Sequence, residues 1–95
     1  MGELIYQVEV RPDAEADILA YKKAGNKIAL ARINRIIAEL KIHPETGIGN
    51  PKKLKHNYSG YWSRDIDKKN RMIYEIKETE VIVYVHSTMY HYDDK

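Results

Sequence analysis

Apolar and polar residues alternate where the chain opens. Tyr6, Val8 and Val10 fall on one side of residues 4–10, with Gln7 and Glu9 on the other. A period of two with one apolar side predicts a half-buried strand. Pro12 then suits the first turn of a helix, because the N–H it lacks has no helical partner there in any case. Asp13, Glu15 and Asp17 crowd the start of that segment and Lys22 and Lys23 its end, so side-chain charge opposes the helix dipole at both termini. Gly25 supplies a residue able to turn the chain out of the helix. A first helix is therefore predicted over residues 12–24 and a second after Asn26. In the second, Leu30, Ile33, Ile36, Ile37 and Leu40 recur at helical spacing, while Lys27, Arg32, Arg35 and Glu39 face away.

The pattern changes after Pro44. Residues 43–51, HPETGIGNP, hold two prolines and two glycines and read as a loop. A short strand is expected near residues 54–57, a turn at Tyr58-Ser59-Gly60, and strands over 61–66 and 71–76 about a polar turn at 67–70. In the second of these, Met72, Tyr74 and Ile76 share one side and Arg71, Ile73 and Glu75 the other. Residues 81–85, VIVYV, form the most β-prone run and predict a central strand. With no repeat and no linker, 95 residues make one domain, 1–95. The order β-α-α-β-β-β predicts an α+β domain, two N-terminal helices packed on one face of a mainly antiparallel sheet. The other face stays open.

Composition narrows the function. Hydrophobic residues make up 43% of the chain, enough for a thin core, and there is no cysteine, which excludes disulfides and cysteine-based zinc sites. The first ten residues contain Glu3 and Glu9 and no long apolar run, so neither a signal peptide nor a membrane span is expected, and the reading is cytoplasmic. The net charge of +2 hides a basic block: residues 51–71 hold seven Lys or Arg against Asp65 and Asp67. Such a block beside aromatic side chains can form a phosphate-binding surface; a solvated lysine-rich loop is the alternative.

Four histidines (His43, His56, His86, His91) raise a metal hypothesis, but no pair stands at the i, i+4 spacing of a zinc helix. No metal or cofactor is expected. Lys52, Lys53, Lys55 and His56 lie among aromatic residues, as phosphate-neutralising and base-stacking groups do on RNA-binding surfaces, or as lysines that guard a strand edge do. Arg71 opens a strand on the open face, where its fork could grip phosphate or pair with Asp65 or Asp67. Met89-Tyr90-His91-Tyr92 places an imidazole suited to proton transfer next to tyrosines, or else is the frayed end of the chain.

Together these pieces resemble a known family. The run Leu54-Lys55-His56-Asn57-Tyr58-Ser59-Gly60-Tyr61-Trp62-Ser63-Arg64, then Asn70-Arg71-Met72-Ile73-Tyr74, then Tyr90-His91-Tyr92, is similar to the YoeB/Txe branch of the RelE toxin superfamily, over essentially the whole chain. The resemblance implies a RelE-like fold and a type II toxin, a metal-free endoribonuclease that cleaves messenger RNA in the A site of the 70S ribosome. It also implies neutralisation by a cognate antitoxin of the YefM/Axe kind; dimerisation is left open. By position, Arg71 matches the family's phosphate-stabilising arginine, His91 its proton-transfer histidine and Tyr92 the tyrosine beside it. Lys55 and His56 match residues that approach RNA, and Lys53 and Arg64 are read with them as part of the basic RNA-binding surface.

Lys52 departs from the family pattern, standing where YoeB proteins carry a catalytic glutamate. Lysine is ordinarily protonated at neutral pH, so the base role falls to His91, and Lys52 joins Arg71 in stabilising charge. The stretch from Arg71 to His91 is slightly long for the family, and a bulge is expected at Ser87-Thr88-Met89. Asp93-Asp94-Lys95 adds acid beyond the tyrosine that ends familiar members. Two other functions stay open: a gyrase poison of the ParE kind, and a toxin that binds but no longer cuts.

Overall fold

The stripe on the second helix forms the floor of the core, and the sheet closes over it. The structure, a computed structural model, describes residues 5–55 and 60–91, with His91 described by its backbone alone. Its elements are β1 (Gln7–Val10), α1 (Pro12–Lys23), α2 (Lys27–Leu40), β2 (Lys52–Lys53), β3 (Tyr61–Asp65), β4 (Asn70–Lys77) and β5 (Ile82–His91). They form a five-stranded sheet in the order β1-β5-β4-β3-β2. All neighbours are antiparallel except β1, which runs parallel to β5. No helix among the described residues is long and apolar enough to cross a membrane.

Pro12 opens α1, and Gly25 follows its end with φ of +70°. The Asn26 side chain caps α2 by accepting the Ala29 N–H at 3.1 Å. Ile33, Ile36 and Leu40 of α2, with Ala14 and Tyr21 of α1, pack on Met72, Tyr74, Val83 and Val85. All four sheet residues occupy alternate positions on one face, so both helices cover that face. Burying each large aliphatic side chain contributes about 1.5–3 kcal/mol.

Three expectations needed correction. The strand expected near 54–57 is the two-residue β2, and His56 to Ser59 lie outside the described residues. The run expected to end at Val85 continues to His91 as one ten-residue strand. Arg64, expected on an RNA-binding surface, is fully buried.

Arg64 lies on the helix-covered face because β3 alternates, and it opposes Met72. Its Nη1 donates to Glu39 Oε1 at 2.8 Å and to Ile48 O at 3.3 Å, and its Nη2 to His43 O and Thr46 O at 2.7 and 2.8 Å. Its Nε donates to Tyr74 Oη at 3.2 Å, and that hydroxyl donates onward to Pro44 O at 2.8 Å. A buried guanidinium is tolerable only when its fork is saturated, and here loop 43–48 supplies the acceptors. Gly47 makes room for it: a Cβ there would stand 2.0 Å from Glu39 Oε1 and 2.9 Å from Arg64 Nη1.

Removing the guanidinium in Arg64→Met should cost about 3–5 kcal/mol in urea unfolding, because Glu39 and the loop carbonyls lose their donors. Burial pushes the Glu39 carboxyl up, but the Ile48 N–H and Arg64 outweigh it and hold it below its ordinary value. A carboxyl depressed in the folded state contributes stability at neutral pH that is lost as acid protonates it. Glu39→Gln should therefore flatten the acid limb of the stability–pH curve; an unchanged limb would rule the pair out as its source.

Candidate functional site

The opposite face of the sheet carries no helix among the described residues, and strand register lays out its side chains in rows. One row is Asp65–Arg71–Tyr90, the next Lys52–Ser63–Ile73, and the third Tyr61–Glu75–Tyr84–Glu9. Arg71 is half-buried, Ser63 and Ile73 are buried, and Lys52 is exposed at the β2 edge.

The bulge expected around Ser87-Thr88-Met89 is present. Arg71 opposes Tyr90, Ile73 opposes Ser87 and Tyr74 opposes Val85. Three steps on β4 thus match five on β5, leaving two extra residues on β5. Backbone groups freed in a bulge need partners, and α1 provides them. The Thr88 N–H donates to Asp17 Oδ2 at 2.9 Å, Ser87 Oγ donates to the same atom at 3.4 Å, and Tyr21 Oη donates to Thr88 O at 2.6 Å. The acidic residues read as helix-dipole partners thus include one that anchors the strand leading to His91.

The structure divides the residues selected from the sequence. Arg71 and Lys52 share the uncovered face in adjacent rows. His91 is the register partner of Asn70 and so is out of phase with the Arg71–Tyr90 pair; the expected meeting of Arg71 and His91 on the open face is not given by the backbone register. Lys53 opposes Trp62 and so alternates to the other face. Lys55 is exposed just beyond β2, where the Leu54 N–H closes the edge onto Tyr61 O at 2.8 Å. His56 and Tyr92 lie outside the described residues. Asp67, one of two acids considered for Arg71, accepts from Lys69 N, Asn70 N and Asn70 Nδ2 within the β3–β4 turn.

A second cluster on this face escaped sequence reasoning. His86 Nε2 lies 3.1 Å from Glu75 Oε1, and Lys77 Nζ lies 3.1 Å from Glu75 Oε2. The His86 ring centroid stands 5.2 Å from that of Tyr61 and 6.3 Å from that of Tyr84. The Arg11 guanidinium, paired with Glu9, lies 5.7 Å from the Tyr84 centroid. Arg11, Glu75, Tyr84 and His86 line a cleft of about 220 Å³. Burial raises the Glu75 carboxyl, but hydrogen bonds from His86 and Lys77 and the charges they carry leave it below its ordinary value. Alternation puts Glu75 of β4 and Tyr84 and His86 of β5 on this face, and the Glu75–Tyr84 register makes His86 the diagonal neighbour of Glu75. A larger cavity of about 550 Å³, lined by Tyr6, His43, Glu45 and Glu78 among others, includes none of the residues selected for catalysis or RNA binding; His43 is one of the four histidines weighed for a metal.

Comparison with known proteins gives consistent matches. The family model described as "YoeB-like toxin of bacterial type II toxin-antitoxin system" matches residues 10–92. A curated relative, "Toxin YoeB" of Mycobacterium bovis, is 41% identical over 85 residues, covering 90% of this chain and 96% of its own. The YoeB dimer from Staphylococcus aureus superposes with a TM-score of 0.79 at 28% identity, covering 92% of this chain and 98% of that one. The YoeB–YefM complex from the same organism gives 0.77 at 30% identity with the same coverage.

Tyr21 tests the anchoring of the bulge. Burial, with the charges of Asp67 and Asp17 added, pushes its hydroxyl up to about 12. A phenol raised in the folded state stabilises the protein at neutral pH and loses that contribution as pH climbs from about 10 through the folded value. Tyr21→Phe should cost about 1 kcal/mol at pH 7 and soften the alkaline decline in stability, read by denaturant unfolding between pH 7 and 12.

Proposed function

The chain belongs to the YoeB-like toxins of bacterial type II toxin–antitoxin systems, and on that premise we propose that it is an endoribonuclease that cuts messenger RNA in the ribosomal A site. The observation that carries this reading is the register at the end of the sheet. Arg71 and Lys52 stand one row apart on one face, and His91, the base that the family resemblance assigns, ends the neighbouring strand in register with Asn70.

The reaction proposed is a transesterification. The ribose 2′-oxygen loses its proton to His91 and attacks the adjacent phosphorus; the P–O5′ bond breaks, leaving a 2′,3′-cyclic phosphate, and the departing 5′-oxygen takes a proton from water to become the 5′-hydroxyl. Negative charge builds on the non-bridging oxygens at the transition state. The guanidinium of Arg71 and the ammonium of Lys52 offset it, and Tyr92 beside His91 positions the reacting groups. The same cations attract an acidic antitoxin segment, so RNA and antitoxin compete for one face. In this reading the protein acts in the cytoplasm, where its substrate is, with a YefM-type antitoxin and a second toxin copy as partners. Lys52 in the place of the family glutamate favours one second reading, a toxin that binds without cutting.

Cleavage of messages on programmed ribosomes decides between these readings. Arg71→Ala should lower the cutting rate by about 100-fold or more, the scale for loss of one transition-state charge contact. Lys52→Ala should lower it less, and full activity in that variant would remove Lys52 from the mechanism. Purified antitoxin added in excess should abolish cutting, and a toxin–antitoxin complex that still cuts would refute competition for the face.

A further inference from the structure

We propose that the cleft formed by Arg11, Glu75, Tyr84 and His86 is a base subsite that holds an unpaired guanine of the message next to the cut. The proposal rests on the nuclease reading above and adds where a neighbouring nucleotide is held and which base is preferred. Glu75 is four residues along β4 from Arg71, about 13 Å at the rise of a strand. That is too far for both to serve one phosphate, yet both lie on the same uncovered face, along which an extended strand of RNA can run.

The lining has the chemistry of single-stranded RNA recognition. Tyr61, Tyr84 and His86 bring three rings together on this face, and such rings stack on unpaired bases. The planar Arg11 guanidinium stands against the Tyr84 ring at the rim, paired with Glu9. At about 220 Å³ the cleft is smaller than the roughly 300–1,000 Å³ of sites for larger ligands, and it suits one planar ring system.

Glu75 supplies the discrimination. An ionised carboxylate only accepts hydrogen bonds, through two oxygens. Guanine alone presents two adjacent donors, N1–H and the N2 amino group, on its pairing edge. Adenine and cytosine offer an amino donor beside an accepting nitrogen, and uracil a single imino donor between two carbonyls. Because a carboxylate cannot donate, His86 Nε2 must carry the proton in its 3.1 Å contact, and that bond fixes the orientation of the carboxylate. Lys77, the other partner, is largely exposed, so its ammonium can swing away as a base enters. Hydrogen bonds and nearby cations keep Glu75 ionised at neutral pH.

The test uses ribosomes programmed with messages that differ only in the base at each position flanking the cut. Wild-type protein should cut messages with guanine at one of those positions on the order of tenfold faster in kcat/KM than the other three. Glu75→Gln, of the same shape but with a donor in place of one acceptor, should erase that preference while still cutting. Tyr84→Leu should raise KM for all four bases. Indifference of the wild-type protein to the flanking bases, or an unchanged preference in Glu75→Gln, would overturn the subsite. The nuclease reading would then still stand, because wild type cuts and Arg71→Ala does not. Absence of cutting by wild type on any message would overturn both.

Discussion

The buried contact between Arg64 and Glu39 is the constraint on which the rest of the architecture depends. One guanidinium reaches the second helix, the fourth strand and four positions of the connecting loop, counting Pro44 through the Tyr74 hydroxyl. A positive charge removed from water must find acceptors in fixed places. Satisfying it therefore dictates the path of a loop that has no secondary structure of its own. That loop delivers Pro51 and Lys52 to the sheet edge. Gly49 continues the constraint: its carbonyl accepts the Asp65 N–H at 2.6 Å, at a φ of +82° where a Cβ would stand 2.8 Å from Asp65 O. The path that brings Lys52 to the helix-free face is thus constrained by Arg64 and Glu39, which lie on the other side of the sheet.

A similar division holds at the other end of the sheet. The β5 bulge re-aims the strand, and the first helix holds it through Asp17 and Tyr21. The α1–β5 contact is therefore more than apolar packing: polar groups of the helix complete a ladder that β4 leaves unfinished. Helices on one face set the geometry of the face they do not touch.

Much of this was legible in the sequence, where local pattern and tertiary need agree. The strand alternation around Val8, the Pro12 and Gly25 boundaries, and the α2 stripe from Leu30 to Leu40 all appear as read. The α+β class follows from their order. What the sequence concealed depended on register between distant segments. Arg64 looked like the other basic residues of its block, because charge alone does not tell which side of β3 it occupies; alternation with Trp62 and Ile66, both apolar, was the available signal. Lys53 was grouped with Lys52 for the same reason, although adjacent residues of a strand point apart. The Glu75–His86 pair was invisible for a different reason, since it joins two strands whose mutual register the sequence alone does not state. The family resemblance selected Arg71 and His91 as candidates where residue chemistry alone left an ion pair or a loose tail as open readings.

The parallel pairing of β1 with β5 has a consequence for the order in which the molecule is made. Gln7 opposes Ile82 and Val10 opposes Val85, so the first strand has only the final one as its neighbour. A contact spanning about seventy-five residues closes late, because loop closure on that scale is slow and the distal partner must first exist. During synthesis β5 emerges after β1 to β4, and until it does β1 lacks its partner strand and the bulge leading to His91 has not formed. A nascent chain that lacks β5 therefore carries both helices but neither the β1–β5 pairing nor the Arg71–Tyr90 row.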